Sequence, residues 1–197
     1  MSTAAAPVRT GAVLADLLPA VRHRYAVDTA LVVGGAALTG IAAQIAVPIP
    51  GSPVPVTGQT FAALLVGTAL GARRGFLSLA VYALVGMAGM PWFAGGSSGA
   101  GGASFGYVLG MLLAATVVGD LARRGGDRSV LRTAGTMVLG SAVIYAVGVP
   151  YLALSTGMSA SAAIAAGLVP FLLGDALKAA LAMGALPAAW KLVGRRG

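Results

Sequence analysis

Six apolar runs recur along the chain, and the connections between them alternate between arginine-rich and charge-free. A helix needs about 20 apolar residues to cross the roughly 30 Å hydrocarbon layer of a bilayer, and only helices and closed barrels satisfy their backbone groups there. The expected fold is therefore an all-α membrane protein, a bundle of six transmembrane helices. The runs predict helices at about Asp28 to Val47, Thr60 to Leu70, Gly75 to Met90, Ser104 to Ala122, Leu131 to Ala153 and Ile164 to Leu192. The second is short for a span, which predicts a tilt or an extension into Val56 to Gln59.

Basic residues next to spans stay in the cytoplasm. Arg9, Arg22 and Arg24 precede the first run, and Arg73 and Arg74 separate the second and third. Arg123, Arg124, Arg128 and Arg132 separate the fourth and fifth, and Lys191, Arg195 and Arg196 close the last. The connections Pro48 to Gln59, Pro91 to Ala103 and Ser155 to Ala163 hold no charge. Both termini are thus expected inside and the uncharged connections outside. Residues 1–27 form a cytoplasmic segment, 28–192 the bundle and 193–197 a tail. Leu14, Leu17, Leu18 and Val21 share one helical face, which fits either an interfacial helix or a tail interrupted by Pro19. No cleaved leader is read at the N-terminus.

The net charge of +8 is spent on this topology, so nucleic acid is not an expected partner. With 58% hydrophobic and 9% charged residues the chain is far from a soluble composition, and 197 residues leave no room for a second domain. Cysteine is absent and the single histidine, His23, precedes the first run. Thiolate catalysis, a serine–histidine dyad and a histidine metal site within the membrane are excluded. There is no Walker A pattern, so the chain is not expected to hydrolyse ATP by that route and any energy must come from elsewhere. No enzyme activity, cofactor or metal is expected.

Charges inside a span are costly unless paired or lining a wet cavity, and are therefore functional candidates. Asp175 and Lys178 lie in the last run at i, i+3, on one helical face. Counted from Ile164 at 1.5 Å per residue, Asp175 stands roughly 16 Å deep. A structural ion pair is one reading; Pro170 and Gly174 open the helix beside the pair and favour a cavity. The remaining polar groups are Gln44, Gln59, Thr60, Tyr82, Ser104, Tyr107 and Tyr145, mostly toward the outer side. Together they suit a small ligand with donors, acceptors and an acidic tail. Pro48, Pro50, Pro53 and Pro55 predict a stiff extended outer segment. Pro91 to Gly102, with Trp92, Gly95 and Gly96, predicts a flexible cover rich in free backbone N–H groups.

Several stretches resemble the BioY family, the biotin-capturing S components of energy-coupling-factor transporters. They are Pro53-Val54-Pro55-Val56-Thr57-Gly58-Gln59-Thr60, Leu70-Gly71-Ala72-Arg73-Arg74-Gly75, Gly89-Met90-Pro91-Trp92-Phe93-Ala94-Gly95-Gly96, Phe105-Gly106-Tyr107-Val108-Leu109-Gly110, Tyr145-Ala146-Val147-Gly148-Val149-Pro150 and Pro170-Phe171-Leu172-Leu173-Gly174-Asp175-Ala176-Leu177-Lys178. The family usually has Pro-Thr-Gly before the Phe-Gly-Tyr stretch, where this chain has Ala103-Ser104. The resemblance implies an S-component fold in the cell membrane. It also implies high-affinity biotin uptake, with a membrane-embedded coupling subunit and two ATPase subunits as partners that use the ATP. Asp175, Lys178, Tyr145, Trp92, Gly95, Gly96, Gln59, Tyr107 and Tyr82 become the expected substrate site. Lys178 would meet either the ureido oxygen or the carboxylate of biotin. A small-residue motif on the first helix docks the coupling subunit in this family, and Ala36 with Gly40 and Ala42 with Ala46 have that spacing. Two alternatives stay open: a stand-alone proton-coupled carrier for a small carboxylate vitamin, with Asp175 as the proton site, and a purely structural membrane subunit.

Overall fold

The computed structural model describes residues 11–17 and 24–194. These hold seven α-helices: α1 Arg24–Ala43, α2 Gln59–Leu70, α3 Ala72–Met87, α4 Phe105–Arg123, α5 Val130–Thr156, α6 Ala160–Gly167 and α7 Leu172–Gly194. Four stretches are long and apolar enough to cross a membrane: α1, α4, α5, and Ala160–Leu192 taken through its break. Large apolar side chains face outward, with Leu131, Leu154 and Leu173 each more than four-fifths exposed. In water such a surface would aggregate; against acyl chains it costs nothing. The protein is a multi-pass membrane protein.

Helix α4 is central and packs on α2, α3 and α5. Small residues allow these close approaches. A Cβ on Gly110 would lie 2.7 Å from the Ile144 carbonyl of α5, and one on Gly67 would lie 2.5 Å from the Ala115 carbonyl of α4. Gly71, at φ 83°, makes the one-residue turn between α2 and α3, a backbone state that side chains disfavour.

The first helix ends at Ala43, not at Val47. Ala46–Val47 (β1) pairs antiparallel with Val56–Thr57 (β2), in the register Ala46 to Thr57 and Val47 to Val56. A residue before proline is pushed out of the helical region, and Val47, Ile49, Ser52 and Val54 all precede one. The proline-rich connection is thus a small hairpin turning through Pro50 and Gly51, with Ser52 N–H donating to Ile49. Its second strand feeds α2 directly.

The last predicted helix also differs. It is interrupted at Leu168, with a 3₁₀ turn over Val169–Phe171, and so divides into α6 and α7. Pro170 cannot donate to Ala166, which opens the ladder four residues ahead of Gly174. Pro150, by contrast, stays inside a continuous α5. Among the small residues of α7, Ala182 is buried, whereas Ala180, Gly184 and Ala185 are exposed.

At the arginine-rich pole, Gly11–Leu17 tucks under the bundle with Val13 fully buried and a 3₁₀ turn at Leu14–Leu17. Arg74 bridges Asp16 and Asp28, both at 2.8 Å. Arg123 and Arg128 donate to the carbonyls of Gly11 and Ala12. Leu18 and Val21 of the expected interfacial helix, and Arg9, Arg22, His23, Arg195 and Arg196, lie outside the described residues.

Candidate functional site

Asp175 stands in the first turn of α7. Because α7 starts afresh at Leu172, the depth counted along one unbroken helix from Ile164 does not apply. The Tyr145 hydroxyl donates to Asp175 Oδ2, bringing α5 to α7. Lys178 Nζ donates to Asp175 Oδ1 at 3.2 Å and to Thr60 Oγ1 of α2 at 2.7 Å. Three helices therefore converge on one acid and one ammonium, whose side chains are 16% and 17% exposed. A partly buried pair of this kind is weak support for stability, since desolvation offsets its attraction.

Beside Asp175, a cavity of about 660 Å³ opens between α5 and α7, and Lys178 and Thr60 are not in its wall. Its wall is aliphatic apart from Ser141, Tyr145 and Asp175. Pro150 lies in the same wall and leaves the Ala146 carbonyl without its i+4 donor, an added acceptor. The volume is in the range of small-molecule pockets, about 300–1,000 Å³. A second cleft of about 290 Å³ lies between the hairpin turn at Pro50–Ser52 and α6.

The remaining predicted residues fall into different surroundings. Tyr107 donates its hydroxyl to the Gly167 carbonyl at 2.7 Å, capping the end of α6, and its ring stacks on Phe171. It also meets Tyr145 edge-on at 6.4 Å. Tyr82 is fully buried and donates to Gln59 Oε1 at 2.8 Å. Trp92 Nε1 donates to the Tyr82 carbonyl at 3.0 Å, and its ring sits where a Cβ on Gly40 would be. Gln44 holds the Trp92 carbonyl at 3.1 Å. Trp92 thus pins the 91–104 connection to α1 and α3, and it is not in the wall of the α5–α7 cavity. Gly95 and Gly96 form the left-handed turn of that connection.

Two polar groups result, one around Asp175 and one around Tyr82, joined by the adjacent residues Gln59 and Thr60. The part played by Thr60 has no local sequence signal, because its partner lies 118 residues away. The expected docking residues fall in different surroundings. Ala36 is 1% exposed and Gly40 is covered by Trp92, so neither presents a free face. Ala42 faces Gly58, and Ala46 belongs to β1, beyond the helix. The open face of α1 carries Val33, Gly34, Leu38 and Ile41 instead.

The BioY family model matches residues 14–195. A probable biotin transporter BioY of Pyrococcus horikoshii is 37% identical over 159 residues, covering 79% of this chain and 91% of that protein. Biotin transporter BioY2 of Lactococcus lactis subsp. cremoris is 35% identical over 77% of this chain and 83% of its own length. Biotin transporter BioY of Thermotoga maritima is 36% identical over 74% and 85%. The crystal structure of the S-component for biotin from an ECF-type ABC transporter shares the fold, with a TM-score of 0.74 at 21% identity over 90% of this chain and 94% of that one. On the match across nearly its whole length and these identities, the chain belongs to the BioY family.

Proposed function

We propose that the chain binds biotin and serves as the substrate-capturing S component of an energy-coupling-factor transporter in the cell membrane. One observation carries the reading: Asp175, Lys178, Tyr145 and Thr60 converge in an otherwise apolar bundle and keep hydrogen-bonding capacity in reserve. Each Asp175 oxygen receives one donor and retains a lone pair; Lys178 has used two of its three N–H groups. Biotin offers two ureido N–H donors, a ureido carbonyl and a valerate carboxylate around an apolar ring. Asp175 accepts a ureido N–H, and the last Lys178 N–H serves either the ureido oxygen or the carboxylate. Aliphatic walls take the ring. Trp92, Tyr82, Gln59, Gly95 and Gly96 set the cover over the site, and Tyr107 holds the helix break beside it.

In this reading the chain crosses the membrane six times, with α6 and α7 as a broken sixth crossing and both termini inside. The coupling subunit meets the exposed face of α1, and two ATPase subunits supply the energy, so the chain needs no cofactor of its own. Titrating purified chain with biotin, followed by tryptophan fluorescence or melting temperature, tests the proposal. Wild type binds tightly, Lys178→Ala loses most affinity and desthiobiotin competes. Folded wild type that ignores biotin overturns it. Uptake that collapses with a protonophore and needs no ATPase partner would point to the proton-coupled carrier instead.

A further inference from the structure

We infer that Thr60 is the positioning residue for Lys178, setting where the ammonium meets the ligand, an inference that rests on the biotin reading above. Lysine ends a flexible four-carbon stem and carries a point charge, so one contact does not fix its head. Asp175 is a neighbour on the same helix at i, i+3, and moves with α7. Thr60 comes from α2 and makes the shorter of the two bonds, 2.7 Å against 3.2 Å. It is the cross-helix anchor.

That anchor is itself fixed. Gly58, just before α2, lies so close to α1 that a Cβ would stand 2.7 Å from the Ala42 carbonyl. Gln59 is 3% exposed and accepts the Tyr82 hydroxyl, which ties the same turn to α3. The hairpin strand Val56–Thr57 enters this turn directly, and its Val56 Cγ1 stands 3.4 Å from where a Cβ on Gly174, next to Asp175, would be. Thr60 is therefore held by backbone packing on one side and a buried amide on the other. A pre-placed hydroxyl sets Lys178 before ligand arrives, which lowers the cost of ordering it on binding. The same turn also links the ion pair to the Tyr82–Trp92 group beneath the 91–104 connection.

Thr60→Val keeps the shape and removes the acceptor; Thr60→Ser keeps the acceptor. Biotin affinity is expected to fall about tenfold in Thr60→Val and to stay within about threefold of wild type in Thr60→Ser. In a Lys178→Ala background, Thr60→Val should have no further effect, because Thr60 acts through the lysine. If Lys178→Ala leaves no measurable binding, the same cycle is read from melting temperatures without ligand, where the two changes should again fail to add. Thr60→Ala replaces Thr60→Val if that variant does not fold. Wild-type affinity in Thr60→Val, or effects that multiply in the double variant, overturns the inference. Wild type that binds no biotin counts against the biotin reading instead.

Discussion

Asp127 and Asp175 are both withdrawn from water, yet their neighbours give them different fates. Asp127, between α4 and α5, is fully buried. Its Oδ2 accepts the Trp190 indole N–H at 2.8 Å, while Oδ1 has no partner among the described residues. Arg128 lies 4.5 Å over the Trp190 ring and sends an N–H to Ala12. Burial pushes the Asp127 carboxyl above the ordinary aspartate value, against the Trp190 hydrogen bond, its own backbone N–H and the charge of Arg128. A carboxyl raised in the folded state contributes stability below the unfolded value of about 3.9 and loses it as pH rises from there through the folded value. Asp127→Asn, neutral and still able to accept from Trp190, should therefore hold or raise the melting temperature at pH 7. Asp127→Ala strands the indole and should cost about 1–2 kcal/mol by thermal unfolding in detergent. Asp175, by contrast, sits at a helix N-terminus with donors on both oxygens. Asp175→Asn leaves Lys178 without its counter-ion, and biotin affinity should fall roughly ten- to a hundredfold by calorimetry. The Asp175–Lys178 pair was legible because a charge in an apolar run is conspicuous and its partner is one turn away. The separate settings of Trp92 and Thr60 were not, because their partners, Gln44 and Lys178, are 48 and 118 residues distant.

Helices with long apolar runs could be read from period and length, whereas breaks and strands depend on where prolines meet tertiary partners. Pro150 is tolerated within α5, and Pro170 ends a helix. The difference lies in the surroundings: the Gly167 carbonyl exposed by the break is met by Tyr107 from α4, which no local pattern announces. The hairpin likewise needed pairing between residues nine and eleven apart. At the opposite pole, the Gly11–Leu17 element is held by charge. Desolvation raises the Asp16 carboxyl, but hydrogen bonds from Arg74 and the Val13 N–H, with the charges of Arg74 and Arg123, hold it below the ordinary value. A lowered carboxyl contributes stability above the unfolded value of about 3.9 and loses it as pH falls through the folded value. Asp16→Asn should therefore lower stability by about 1 kcal/mol at pH 7. The gap from wild type should close as the pH is taken below about 4, which a pH series of melting temperatures checks. No gap at pH 7 would assign the element's hold to Val13 burial alone.

The two poles of the whole molecule differ in chemistry. At one, Arg74, Arg123 and Arg128 grip the N-terminal segment and Asp120 pairs with Arg124. At the other, contacts are uncharged: Tyr151 donates to the Ala100 carbonyl, Gln44 to Trp92, and the hairpin turn faces Met158 across a small cleft. Arginine next to a span resists translocation, and twelve or so uncharged residues do not, so the first pole should face the cytoplasm. The cysteine-free sequence makes this directly measurable, since any introduced thiol is the sole reactive one. Single cysteines at Ser98 and Ser159 should react with a membrane-impermeant maleimide added to intact cells. One at Arg124 or Ser129 should react only after the membrane is opened. All four residues are exposed, so a lack of reaction reports sidedness and not burial. The reverse pattern would put the hairpin and the 91–104 connection inside, and capture from outside through them would then be impossible.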